Sequence, residues 1–260
     1  MGLDPTTGPI AFRAAPLGAV SAELAAAILY DYDPASIGRA MAEVSELAAA
    51  QARVSARQGV ADRVFRRLLG DAVTGSEMRE AAELARRAAE AASGRAEGRP
   101  LFAAHAALGW PVEAHLVLWH AVTLLHEWRS DGRIAVLTAE SMSGLDWLVG
   151  YAATGRQSIR SIRVAHGWAD AEWKTAVQRL RDRGRLRADG DPVALALTDP
   201  VFLTFTDEGR EQYLRIDERT DAAAASAYAS LGEQGGARLR ELCAPWTATI
   251  AESNGSTGER

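Results

Sequence analysis

Apolar positions along the chain return mostly with a helical period. Alanine-rich amphipathic stretches cover residues 21–30, 34–61, 76–92, 111–130 and 236–250, which predicts a mainly helical protein. Asp33-Pro34 and Gly109-Trp110-Pro111 place a proline at a first helical turn, and Ser76-Glu77-Met78-Arg79 supplies a serine cap. The glycine-containing stretch 92–100 reads as a surface connection between packed helices. Strand signals occur only after Arg185. Residues 193–197 and 201–205 flank Thr198-Asp199-Pro200, with an earlier turn at Asp189-Gly190-Asp191-Pro192, and predict a small antiparallel β-sheet. Thr206 then caps a helix running through Gly209-Arg210 toward Asp217.

The segment ahead of that sheet carries a specific pattern. Residues 143–154 form a first helix, with Leu145, Trp147, Leu148 and Tyr151 as apolar positions. A short second helix over 158–165 is broken by His166-Gly167-Trp168. Asp170 caps a third helix, 171–183, which ends at Gly184. Its stripe of Trp173, Ala176, Val177 and Leu180 leaves Glu172, Lys174, Thr175, Gln178, Arg179 and Arg181 available to solvent or a ligand. Helix, turn, helix and hairpin together describe a winged helix-turn-helix. The expected architecture is thus mainly α, with a helical N-terminal part packed with a winged helix-turn-helix that carries the small antiparallel β-sheet, followed by C-terminal helices. As domains, 1–138 is a helical ligand-sensing and packing part, 139–215 the winged helix-turn-helix, 216–252 the C-terminal helices and 253–260 a disordered tail.

Charge sharpens this picture. Residues 156–187 hold eight arginines and one lysine against three carboxylates, a local +6 within a chain of net charge −5. A compact basic segment can bind a polyanion even on an acidic protein. Lys174, Thr175, Gln178, Arg179, Arg181, Arg185 and Arg187 are therefore the candidate contacts to double-stranded DNA. Two features oppose them. The first turn of the recognition helix, which approaches base edges in helix-turn-helix proteins, holds Asp170 and Glu172, and the predicted wing tip holds Asp189 and Asp191. Arginines toward the end of that helix serve equally well as salt-bridge partners on a solvated surface.

A second informative stretch is 111–130. At about 100° per residue, His115, Trp119, Val122, His126 and Arg129 share a narrow stripe, with Val117, Ala121, Leu124 and Trp128 opposite. Such a stripe could line a site for a small aromatic or anionic ligand, with Trp119 as a stacking wall. Packing between helices is the commoner role for histidine beside tryptophan. A metal site is not expected, because His115 and His126 lie ~16 Å apart along an ideal helix and no metal-binding spacing occurs. No phosphate loop, nucleophile elbow or dinucleotide fingerprint is present, so no cofactor is implied and the reading leans away from an enzyme. His120 is the one candidate general base, without an evident orienting partner. Asp131-Gly132 reads as a turn closing this helix. Cys243 reads as a small buried hydrophobe. With neither a signal peptide nor an apolar run of membrane-span length, a cytoplasmic location and no membrane partner are expected.

Several short runs carry a resemblance. They are Arg13-Ala14-Ala15-Pro16-Leu17-Gly18, residues 116–125, Gly167-Trp168-Ala169-Asp170-Ala171-Glu172-Trp173, Thr206-Asp207-Glu208-Gly209-Arg210, and Leu231-Gly232-Glu233-Gln234-Gly235 with Arg238-Leu239. Over most of its length the chain resembles MarR-like winged helix-turn-helix proteins, and specifically an actinobacterial helix-turn-helix family of similar length. The resemblance implies a homodimeric transcriptional regulator whose helical part senses a small molecule. Helices over 220–229 and 236–250, with Trp246, are the candidate dimer elements. The competing reading is a winged-helix scaffold that has lost DNA binding and acts as a small-molecule binder or enzyme, with specialised metabolism as the setting the resemblance suggests. Its site would be Arg13, His115, Trp119, His120, His126 and Arg129.

Overall fold

A computed structural model describes residues 8–47, 50–187 and 203–255. The helices are α1 (Gly8–Ala14), α2 (Ala22–Ile28), α3 (Pro34–Leu47), α4 (Ala50–Leu69), α5 (Ser76–Ser93), α6 (Pro100–Ala106), α7 (Ala114–Ala139), α8 (Gly144–Ala153), α9 (Ile159–His166), α10 (Asp170–Asp182), α11 (Asp207–Ala225) and α12 (Gly232–Gly255). Two compact units result, each built from two stretches of chain. The first comprises Met1–Ala50 and Gly132–Asp221, the second Gln51–Asp131 and Ala222–Arg260.

The first unit is organised around large aromatic and branched side chains. Trp173 of α10 is completely buried among Trp147, Leu148, Ile162, Val177, Leu180, Phe205 and Ile216. The Trp147 and Tyr213 rings stack at 4.6 Å and 7°. In the second unit the apolar face of α5 is alanine at positions 81, 82, 85, 88, 89 and 92, all buried. Small side chains let partner helices approach closely, and the larger Phe102, Leu124, Trp128 and Leu242 fill the remaining space. Arg99 secures that core by donating to the carbonyls of Trp128 and Ala223, with its guanidinium over the Trp128 ring.

The mainly α expectation fits this architecture, whereas the winged helix-turn-helix with an antiparallel β-sheet does not. Among the described residues there is no strand or sheet, only one isolated antiparallel bridge between Leu186 and Phe205. The reason lies on both sides of the bridge. Gly184, at φ 66°, terminates α10, and Thr206 at once donates to the Gly184 carbonyl (2.6 Å) and accepts from the Gly209 amide (3.0 Å) as the cap of α11. Residues 185–187 and 203–205 are thus confined between two helix ends. The predicted strand 193–197, the start of strand 201–205 and the tip Asp189-Gly190-Asp191-Pro192 lie outside the described residues.

Helix limits also differ from expectation. Asp131-Gly132 is not a turn, because α7 continues to Ala139. The buried Asp131 carboxylate instead accepts from the Phe102 amide at 2.9 Å. The stretch 34–61 falls on α3 and α4, with residues 48–49 outside the described ones. Ala169 occupies the cap position of α10, and Asp170 is its first helical residue, paired with Arg163.

Candidate nucleic-acid interface and adjoining cavity

The candidate helix-turn-helix comprises α8, α9 and α10 of the first unit. The Ser143 hydroxyl accepts from the Asp146 amide (3.1 Å), and Ser158 accepts from Ser161 (3.1 Å), so a serine starts each of the first two helices. Gly167, at φ 74°, ends α9 in the left-handed region, and three residues later α10 begins. A Cβ on Gly167 would lie 2.4 Å from Ser36 Oγ, so both its dihedral and its surroundings require glycine.

That turn is held by the segment preceding α3 and by the first turn of α3. The Asp33 amide donates to the His166 carbonyl (2.9 Å), Ser36 Oγ to the Gly167 carbonyl (3.0 Å) and Trp168 Nε1 to the Asp31 carbonyl (2.8 Å). The buried Asp31 side chain accepts from Arg133 at 2.6 Å. Burial acts to raise the Asp31 pKa, but Arg133, Arg13 and His166 together hold the carboxyl below its ordinary range. His166 itself is pushed down, first by burial, and meets Tyr32 in a tilted ring contact at 4.8 Å and 43°, with Arg13 over the Tyr32 ring at 5.6 Å. Arg13 is thereby part of this network rather than of the α7 stripe.

Much of the basic segment is internally matched. Arg179 grips the buried Asp146 through Nε (3.1 and 3.2 Å) and Nη2 (2.5 Å), and Arg183 approaches the same carboxylate at 3.7 Å. Arg185 pairs with Glu208, and Arg187 donates to the Phe205 carbonyl at 3.4 Å. On the outer surface of α10 are exposed Thr175 and Gln178, with Lys174 and Arg181 half-buried on the flank. Gln178 donates to Asp182 at 2.7 Å, and the Thr175 hydroxyl to the Ala171 carbonyl at 2.9 Å. Arg156 and Arg160 are exposed at the start of α9 and were not among the predicted contacts. In helix-turn-helix proteins the helix before the recognition helix crosses the DNA backbone, which makes the exposed Arg160 a further candidate contact.

A cavity of about 640 Å³ opens beside α10 within the same unit. Ala26 and Ala27 of α2, Tyr30, Tyr32, Trp168, and Glu172, Thr175 and Arg179 of α10 contribute to its walls. The sequence pattern did not single out this place, because its aromatic residues come from a short connection and a turn, neither of which has a periodic signature.

The α7 stripe lies in the second unit and is divided. His115 is buried and contacts Asp62 at 2.7 Å, while Trp119 lies under Arg57 at 4.4 Å. Val122 and His126 are exposed, and Arg129 is half-buried. His120 points away from that stripe. It is buried against the edge of Trp110 at 4.9 Å, and its Nε2 has no hydrogen-bond partner among the described residues. Burial, then Arg57, pushes the His120 pKa down to about 4, so it is neutral at pH 7 and a weak base. An unfolded histidine takes up a proton near pH 6.5, so this group opposes unfolding fully above that pH and loses its effect as pH falls toward 4. Unfolding free energy should consequently drop by about 1–2 kcal/mol between pH 7 and 5 in excess of the drop in His120→Phe, measured by urea titration.

Among the described residues no three His, Cys, Asp or Glu side chains are grouped to hold a metal ion, and no single helix is long and apolar enough to cross a membrane. Comparison with known proteins finds no match among curated proteins or solved structures. A family model described as "Helix-turn-helix family" matches residues 1–257. With nearly the whole length matched, and with α9, the Gly167 turn and α10 in place, the chain belongs to this helix-turn-helix family.

Proposed function

We propose that the protein is a cytoplasmic, MarR-like transcriptional regulator in its mode of action, binding duplex DNA through α10 and sensing a small molecule as a homodimer. The observation that supports DNA binding is the α9–turn–α10 unit, fixed by the Ser36 and Asp33 contacts, on a chain of the helix-turn-helix family. Thr175 and Gln178 would meet base edges, while Lys174, Arg181, Arg187 and Arg160 would meet phosphates. Arg179 and Arg185 would hold the fold rather than the nucleic acid, because each already has a carboxylate partner.

Fluorescence anisotropy with labelled upstream DNA and a scrambled control, over a salt series, tests the reading. The triple substitution Lys174→Ala, Gln178→Ala, Arg181→Ala should weaken binding by at least about tenfold and reduce the magnitude of the salt slope by about 2. Equal affinity of wild type for both duplexes at all salt concentrations would count against a regulator. One observation favours the second reading, a helix-turn-helix scaffold that binds a small molecule without DNA: Asp146 and Glu208 consume much of the positive charge that phosphates would need.

A further inference from the structure

The geometry points to an organic cation, specifically a small aromatic amine, as the ligand of the cavity beside α10. At about 640 Å³ the space suits a small organic molecule. Tyr30, Tyr32 and Trp168 give it aromatic walls. Two of these are fixed through their polar edges: the Tyr30 hydroxyl donates to the Met142 carbonyl (2.9 Å), and Trp168 Nε1 donates to the Asp31 carbonyl (2.8 Å). Their donors are occupied, and ring surface is the main thing they offer a ligand.

The sign of the ligand's charge follows from the two ionic residues on the wall. Arg179 is matched by the buried Asp146. Glu172 is exposed and has no ion pair among the described residues. A site with aromatic faces and an unmatched carboxylate selects a cation: the ammonium pairs with the carboxylate while the rings supply cation–π attraction. An anionic ligand would face repulsion from Glu172, with Arg179 already committed.

The position gives the ligand a consequence for DNA, a step that rests on the proposed function. Ala171, Glu172 and Thr175 line the cavity and lie in the first two turns of α10, the part of a recognition helix that approaches base edges. Amine and DNA would then compete for one surface, each weakening the other by the same factor.

Isothermal titration of the full chain with tryptamine, indole-3-propionate and indole-3-ethanol separates charge from ring shape. Saturable tryptamine binding is expected, at least about tenfold tighter than either isostere. Glu172→Gln, an exposed conservative change, should remove that margin, and Ala27→Phe should weaken tryptamine by narrowing the cavity. Propionate or ethanol binding as tightly as tryptamine, with loss in Ala27→Phe, would overturn the amine assignment but leave a sensing cavity. No saturable binding of any probe would overturn both. Tryptamine binding as expected by a chain that binds no DNA would uphold the site and remove the regulator reading.

Discussion

Asp31→Asn is expected to lower the unfolding free energy by about 3–5 kcal/mol, because it leaves Arg133 in a buried position without its counter-charge. Arg133 is 15% exposed and Asp31 6% at the side chain, so water cannot readily replace the lost partner. For a chain of 260 residues this corresponds to a fall in melting temperature on the order of 10 °C. The substitution keeps the Asp31 carbonyl that receives Trp168 Nε1, which restricts the change to the side-chain charge. Acid behaviour supplies a second signature. The Asp31 carboxyl is held below its ordinary range, so its contribution is complete above the unfolded carboxylate value near 3.9 and disappears as pH falls through the lower folded value. The wild-type acid-unfolding curve should be steeper below about pH 4 than that of Asp31→Asn. Pairing the change with Arg133→Met should recover part of the loss, since no buried cation then remains. A loss under about 1 kcal/mol for Asp31→Asn would show that Arg133 finds other compensation.

Legibility in the sequence depended on how local each determinant was. Helices α5, α8 and α10 could be read because their apolar stripes recur within one segment and because Ser143 and Gly167 mark ends through local backbone chemistry. The continuation of α7 past Asp131-Gly132 was hidden, since Asp131 is committed to the amide of Phe102, 29 positions away. The sheet was over-read for a related reason. β-branched and aromatic residues after Arg185 satisfy a strand pattern, but among the described residues only Leu186 and Phe205 pair, close to where Thr206 contacts Gly184 across 22 positions. The motifs behind the family resemblance acquire structural meaning: Gly209 sits where a Cβ would meet the Arg185 carbonyl at 1.9 Å, and Gly167 meets Ser36. For the site, net charge was legible but its partition was not. Eight arginines in one segment say nothing about which of them face Asp146, Asp170 or Glu208. The cavity beside α10 was invisible for the same reason, because its walls join Ala26, Ala27, Tyr30 and Tyr32 to Ser143 and residues beyond it.

Arg179→Ala should therefore destabilise the protein rather than act only on DNA. Asp146 is 3% exposed at the side chain and Arg179 36%, so the two halves of the pair are not equivalent. Removing Arg179 strands a buried carboxylate, at a cost of about 2–4 kcal/mol, the upper part of the range being moderated by Arg183 at 3.7 Å. Removing Asp146 by Asp146→Ala instead leaves a guanidinium that can turn to solvent, and should cost less than Arg179→Ala by about 1 kcal/mol or more. The double variant should resemble Asp146→Ala, because once the carboxylate is gone the arginine has little left to stabilise. Urea denaturation of the four chains measures this cycle, and anisotropy on the same samples at a temperature where all remain folded measures DNA affinity. A direct phosphate contact by Arg179 predicts the opposite pattern: near-normal stability for Arg179→Ala, reduced DNA affinity and a salt slope smaller in magnitude by about 1. Because Arg179 also borders the cavity, loosening its grip on Asp146 would free a positive charge beside Glu172. Asp146→Ala should thus weaken tryptamine binding even though Asp146 is not among the residues lining the cavity, whereas a ligand indifferent to charge would not register the change.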